Sequence, residues 1–198
     1  MKQKSTFFSV EPHWFDARQS FNQAISKQVG SWLFESGSLT QRLRDLCGDG
    51  FHVRLLKQTW QKPCLNEARQ LELPSNLYAL TREVVLCCGD RPLVYARTII
   101  PRRTLHGAQR RLSNLGTRPL GEVLFSSPKL ERNGFELALV SPAIWRKPDS
   151  ISCVGGLEFP EENVWGRRTV YSISSHDLLV SEIFMPELFD LERGIRKA

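Results

Sequence analysis

The chain predicts an α+β fold, an antiparallel β-sheet with helices gathered on one side. Three observations carry this. Two β-hairpins read clearly, one over LYALTREVVLCCGDRPLVYARTIIP and one over RRTVYSIS to LLVSEIFMP. Helical periodicity lies before the first hairpin and between the two, so hairpins alternate with helices, whereas a parallel sheet needs strict strand-helix alternation. A chain of 198 residues that is 41% hydrophobic is long enough for one buried core, and one domain spanning 1–198 is expected.

The elements follow in order. Apolar residues at mixed three- and four-residue spacing (Trp14, Phe15, Ala17, Phe21, Ala24, Ile25) predict a helix from Trp14 to about Val29, interrupted at Gly30. Ser38 and Gln41 form a capping-box signature ahead of the stripe Leu39, Leu43 and Leu46, and Gly48 is the expected stop. The free N–H groups of that helix's first turn suit a carboxylate, although most such turns hold only water. In the first hairpin Leu80, Val84, Leu86 and Cys88 alternate up to the turn Gly89-Asp90-Arg91-Pro92. Thr104 is expected to open a helix ending near Gly116, and the short segment PLGEVLF follows. Lys129 to Glu162 reads as a strand plus a long loop. The second hairpin turns at Ser174 to Asp177, and Pro186 closes its last strand.

Composition excludes several classes. No stretch reaches the ~20 apolar residues of a membrane span, and the N-terminus lacks a signal-peptide core, so a cytoplasmic protein without membrane insertion is expected. The five cysteines (Cys47, Cys64, Cys87, Cys88, Cys153) are odd in number and lack zinc-ligand spacing. His13, His52, His106 and His176 stand in separate contexts, so no metal site is expected. No GxSxG, GxGxxG or GxxxxGK[ST] motif occurs, which removes the usual nucleotide-cofactor fingerprints. The net charge of +6 favours an anionic partner. The densest basic run, Arg102, Arg103, Arg110 and Arg111, has no interleaved aromatics and reads as a solvated face rather than a nucleic-acid patch.

Two charges break the strand pattern. Arg82 shares a face with Leu80, Val84 and Leu86, while Glu83 shares the opposite face with Thr81, Val85 and Cys87. The face with three aliphatics is the expected core, which points Arg82 inward. Glu182 lies between Val180 and Phe184, with Leu179, Ile183 and Met185 on the other side, so its carboxylate has no easy route to water. Burying an unpaired charge costs several kcal/mol, so such residues mark either a mutual structural ion pair or a ligand site.

Four segments, two of which hold these charges, resemble the chorismate lyase family: SWLFESGSLTQRL, TREVVLCCGDRPLVYARTIIPRRTL, LGTRPLGEVLF, and WGRRTVYSIS with LLVSEIFMP. The resemblance runs with gaps from Trp32 to Pro186. It implies a sheet-and-helix fold enclosing a ligand cavity, and a cofactor-independent carbon-oxygen lyase that converts chorismate to 4-hydroxybenzoate and pyruvate at the entry to ubiquinone biosynthesis. It further implies that Arg82 binds the ring carboxylate and Glu182 the ring hydroxyl, with both in catalytic positions. Leu39 in the SLT turn and Leu120 in the PLG turn would line the cavity and offer backbone groups. Expected partners are the small molecules alone, with no nucleic acid, and a monomer is expected. The stretch between Arg132 and Trp165 is longer than in compact members of the family. The alternative is a small-molecule-sensing module related to the effector-binding domain of GntR-type regulators, but the segment before Trp32 is short for the DNA-binding domain such regulators carry.

Overall fold

The computed structural model describes residues 5, 8–18, 24–145 and 159–195. Seven strands form one antiparallel sheet: β1 (Phe15–Asp16), β2 (Phe51–Gln61), β3 (Ala79–Cys88), β4 (Arg91–Pro101), β5 (Leu130–Val140), β6 (Val164–Ile173) and β7 (His176–Phe184). Their spatial order is β1-β5-β6-β7-β4-β3-β2, so the two sequence-evident hairpins lie side by side at the centre through the β4–β7 pairing. Five α-helices accompany them: α1 (Lys27–Leu33), α2 (Leu39–Cys47), α3 (Leu65–Gln70), α4 (Leu120–Phe125) and α5 (Pro186–Ile195).

Four helices share one sheet face. Trp32 and Leu33 of α1, Leu39 and Leu43 of α2 and Leu188 of α5 pack with Val84, Leu86, Ala96 and Phe184. Leu120, Val123 and Leu124 of α4 pack with Leu80, Ile100, Tyr171 and Val180 of the same face. The opposite face is covered by Phe8, Trp14 and Trp145 over Val85, Tyr95 and Ile183, and by the short α3. Both faces of the central strands are therefore core.

Where the structure departs from expectation, packing decides. The helix expected from Trp14 to Val29 is instead the two-residue β1, paired with β5 through Phe15 and Leu137, and a separate α1 that begins at Lys27 behind its Ser26 cap. Trp14 belongs to the core of one face while its neighbour Phe15 packs against the core of the other, an alternation that only extended backbone allows. Part of that stretch, 19–23, lies outside the described residues. Gly30 does not interrupt α1 but lies inside it. The helix expected from Thr104 to Gly116 is a 3₁₀ segment, Gly107–Asn114, which buries Leu112 and presents Leu115 just beyond it at the three-residue spacing that 3₁₀ winding favours.

Other elements carried weak sequence signals. β2 is an edge strand with a bulge between Leu55 and Lys57, so its residues are only partly buried and their alternation is blurred. Pro186 does end β7, and it also opens α5, where a first-turn proline loses no hydrogen bond. The β6–β7 turn places Ser174 and Ser175 at φ of 51° and 64°, the left-handed pair that a two-residue hairpin turn requires.

Candidate active site

A cavity lies between the sheet and the N-terminal ends of α2 and α4. Its wall includes Arg82, Val84 and Leu86 from β3, Ala96 and Thr98 from β4, Val180 and Glu182 from β7, and Arg167 and Tyr171 from β6. Leu39 and Leu120 line it from the helices. The structure thus brings together all four residues singled out in the sequence. The side chains share one face because the register pairs Arg82 with Thr98, Thr98 with Val180, and Glu182 with both Ala96 and Arg167.

Arg82 is 2% exposed. Its Nη2 donates to the carbonyl oxygens of Gly116 at 3.0 Å and Arg118 at 2.9 Å, which ties the 107–118 segment over the site. Its Nε is buried without any hydrogen-bond acceptor, and among the described residues no carboxylate pairs with it. Burial holds its pKa down to about 10, so the group remains a cation at neutral pH. A buried guanidinium with a free donor and no counter-ion is arranged to receive an anion.

Glu182 meets Arg167, whose Nε donates to Oε2 at 2.5 Å. Arg167 also lies within hydrogen-bonding reach of the Trp32, Leu33 and Glu35 carbonyls, at 3.1, 3.2 and 3.1 Å. These are the terminal carbonyls of α1 and of the turn after it, groups that a helix end leaves without internal partners. Glu182 therefore has one oxygen held by Arg167, and the residue as a whole lines the cavity.

Leu39 and Leu120 come together because their turns touch. Ser38 caps α2, its Oγ accepting from Gln41 N at 3.3 Å. Gly121 lies so close that a Cβ there would meet Thr40 Oγ1 at 2.6 Å and Ser38 Oγ at 3.2 Å. Only glycine permits that approach. An Arg44–Glu122 ion pair joins the same two helices farther out.

Two further charged or polar residues line the cavity that the strand pattern did not single out. Arg167 and Tyr171 lie in WGRRTVYSIS, and the signal was present: an arginine pair inside a run that is otherwise strand-like. The pair divides between faces. Arg168 turns to the opposite side, where it meets Glu136 at 2.5 Å and Glu11 at 3.5 Å. Glu83, set aside as the face less favoured for the core, is fully buried there too. It accepts from Arg97 Nη1 at 2.8 Å, while Arg97 Nε donates to Glu67 at 2.6 Å. Its partners supply the compensation that alternation alone could not reveal. No group of three or more His, Cys, Asp or Glu side chains able to hold a metal occurs among the described residues. None of the four histidines lines the cavity.

Known proteins resemble the chain in sequence and in fold. The family model described as chorismate lyase matches residues 12–194. A probable chorismate pyruvate-lyase of Methylococcus capsulatus is 47% identical over 161 residues, covering 81% of this chain and 96% of that protein. Another from Pseudomonas aeruginosa is 37% identical, covering 89% of this chain and 93% of its own. Among solved structures, PhnF from Mycobacterium smegmatis superposes with a TM-score of 0.52 at 13% identity, over 78% of this chain and 66% of that one, a likeness of fold alone. With a family model spanning nearly the whole chain and relatives matched along most of their length, the chain belongs to the chorismate lyase family.

Proposed function

We propose that the protein converts chorismate to 4-hydroxybenzoate and pyruvate, with Arg82 and Glu182 as the two polar ends of the site. The observation that carries this is the buried, carboxylate-free Arg82 facing the same apolar-walled cavity as Glu182. Arg82 binds the ring carboxylate through its free donor, and Glu182 accepts from the hydroxyl on ring C4. Leu39 and Leu120 close the cavity and present their first-turn backbone groups.

Chorismate becomes aromatic when its enolpyruvyl ether leaves, so orientation is the main demand on the protein. The C4 hydrogen passes to the enolpyruvyl methylene, the C3–O bond breaks, and its electron pair becomes the carbonyl of pyruvate. The electrons of the C4–H bond complete the ring. Holding the substrate in that geometry between preorganised charges supplies many kcal/mol without a covalent intermediate. The Arg167 ion pair fixes Glu182 in place for this role.

No helix among the described residues is long and apolar enough to cross a membrane. In this reading the protein is a cytoplasmic, monomeric enzyme that supplies 4-hydroxybenzoate to ubiquinone synthesis. The test is incubation with chorismate. Equimolar 4-hydroxybenzoate and pyruvate are expected, with turnover unchanged after prolonged chelation. Binding of 4-hydroxybenzoate without any turnover of chorismate would instead favour a ligand-sensing module.

A further inference from the structure

The substrate of the proposed reaction carries two carboxylates, one on the ring and one on the enolpyruvyl group. Arg82 answers only the first. Tyr171 lines the same cavity and is 4% exposed. Its hydroxyl oxygen accepts from Arg132 Nη2 at 3.1 Å. Arg132 is itself fixed by the carbonyls of Glu35 at 3.0 Å and Gly37 at 3.4 Å, in the turn that leads to α2.

That arrangement leaves the phenol as a donor. Among the described residues nothing accepts its proton, and a buried donor without an acceptor is costly. Burial, with the charge of nearby Glu182, pushes the phenol pKa above its ordinary value, so the proton is retained. A guanidinium bound to the hydroxyl oxygen polarises the O–H bond and strengthens the donor.

The placement fits the substrate's shape. Arg82, Glu182 and Tyr171 stand on β3, β7 and β6, on one face of the sheet, and form a triangle around the cavity. A ring held by its C1 carboxylate at Arg82 and its C4 hydroxyl at Glu182 spans two corners. The enolpyruvyl group leaves the ring at C3, off that axis, and Tyr171 is the corner of the cavity that the ring's own two groups leave unused.

We propose that Tyr171, held by Arg132, donates its hydroxyl proton in a hydrogen bond to the enolpyruvyl carboxylate and so distinguishes chorismate from ligands that carry the ring alone. This rests on the lyase reading. When the ether breaks, the carboxylate departs with pyruvate, and 4-hydroxybenzoate retains no group for Tyr171.

Tyr171→Phe removes the hydroxyl and keeps the ring. Its kcat/KM for chorismate should fall roughly 10- to 100-fold, the span of one hydrogen bond to a charged group. Its Kd for 4-hydroxybenzoate should stay within about two-fold of wild type. Parallel weakening of both would show that Tyr171 shapes the cavity or meets the ring hydroxyl, and an unchanged kcat/KM would show that it meets nothing. Either overturns the assignment. Failure of the lyase reading shows separately, as absence of turnover by the wild-type protein.

Discussion

Glu182 Oε2 accepts from Arg167 Nε at 2.5 Å, and the same guanidinium gathers the carbonyl ends of α1 and its following turn. One side chain thereby joins the cavity's acid to the element that precedes α2. Replacing Arg167 with Met should leave the buried Glu182 carboxylate and the Leu33 carbonyl without their donor. A loss of about 3–5 kcal/mol in unfolding free energy is expected from denaturant titration. A loss below about 1 kcal/mol would show that the pair is not structurally coupled to α1.

Arg82 has the opposite energetic character. Among the described residues its buried charge has no carboxylate partner, so Arg82→Met should fold with a melting temperature no lower than wild type while kcat/KM for chorismate falls roughly 30-fold or more. Arg82→Lys should recover only part of the activity, because an ammonium lacks the guanidinium's forked donors. Near wild-type turnover in Arg82→Met would remove the anchor from the mechanism.

Gly121 permits the contact between the two turns that carry Leu39 and Leu120. Gly121→Ala should force Thr40 and α4 apart, at a cost of about 1–3 kcal/mol, and should weaken 4-hydroxybenzoate binding. Calorimetric titration and thermal melts of the one variant report both effects.

The cavity's two polar ends predict an order of ligands. At ~100 times Kd, 4-hydroxybenzoate should add about 2.7 kcal/mol of stability, several degrees in a thermal scan. Benzoate lacks the hydroxyl and should stabilise less, and phenol lacks the anchor and should do almost nothing. In Glu182→Ala the advantage of 4-hydroxybenzoate over benzoate should vanish. Equal stabilisation by all three in the wild type would contradict this arrangement.

On the opposite sheet face, burial raises the Glu11 pKa to about 7, with the neighbouring Glu67 charge adding to it and Arg168 and Arg97 opposing. The folded state therefore binds this proton more tightly than the unfolded chain. Its contribution to stability is fully present below the ordinary carboxylate pKa of about 4.5 and is lost as pH rises toward 7. Glu11→Gln should flatten the stability profile across that window and gain on the wild type at pH ~8. An identical pH profile in the two proteins would exclude Glu11 as its source.

The inward charges of the candidate site were legible in the sequence. Arg82 and Glu182 stood out because strand alternation is strictly two-residue, so a charge amid aliphatics on one face is visible from sequence. The central hairpins and the capped α2 were equally local, written in turn residues and a cap. Tertiary structure decided what depends on partners distant in the chain. Glu83 and Arg97 are as buried as Arg82, yet they satisfy one another and Glu67, whereas Arg82 meets no carboxylate among the described residues, and nothing in the alternation distinguishes the two cases. Likewise Trp14 and Phe15 became extended because two cores lie on either side of them, and the 107–118 segment took its path over Arg82 from contacts far away in sequence. Periodicity reports which side chains share a face, while compensation of a buried charge is a property of the assembled space around it.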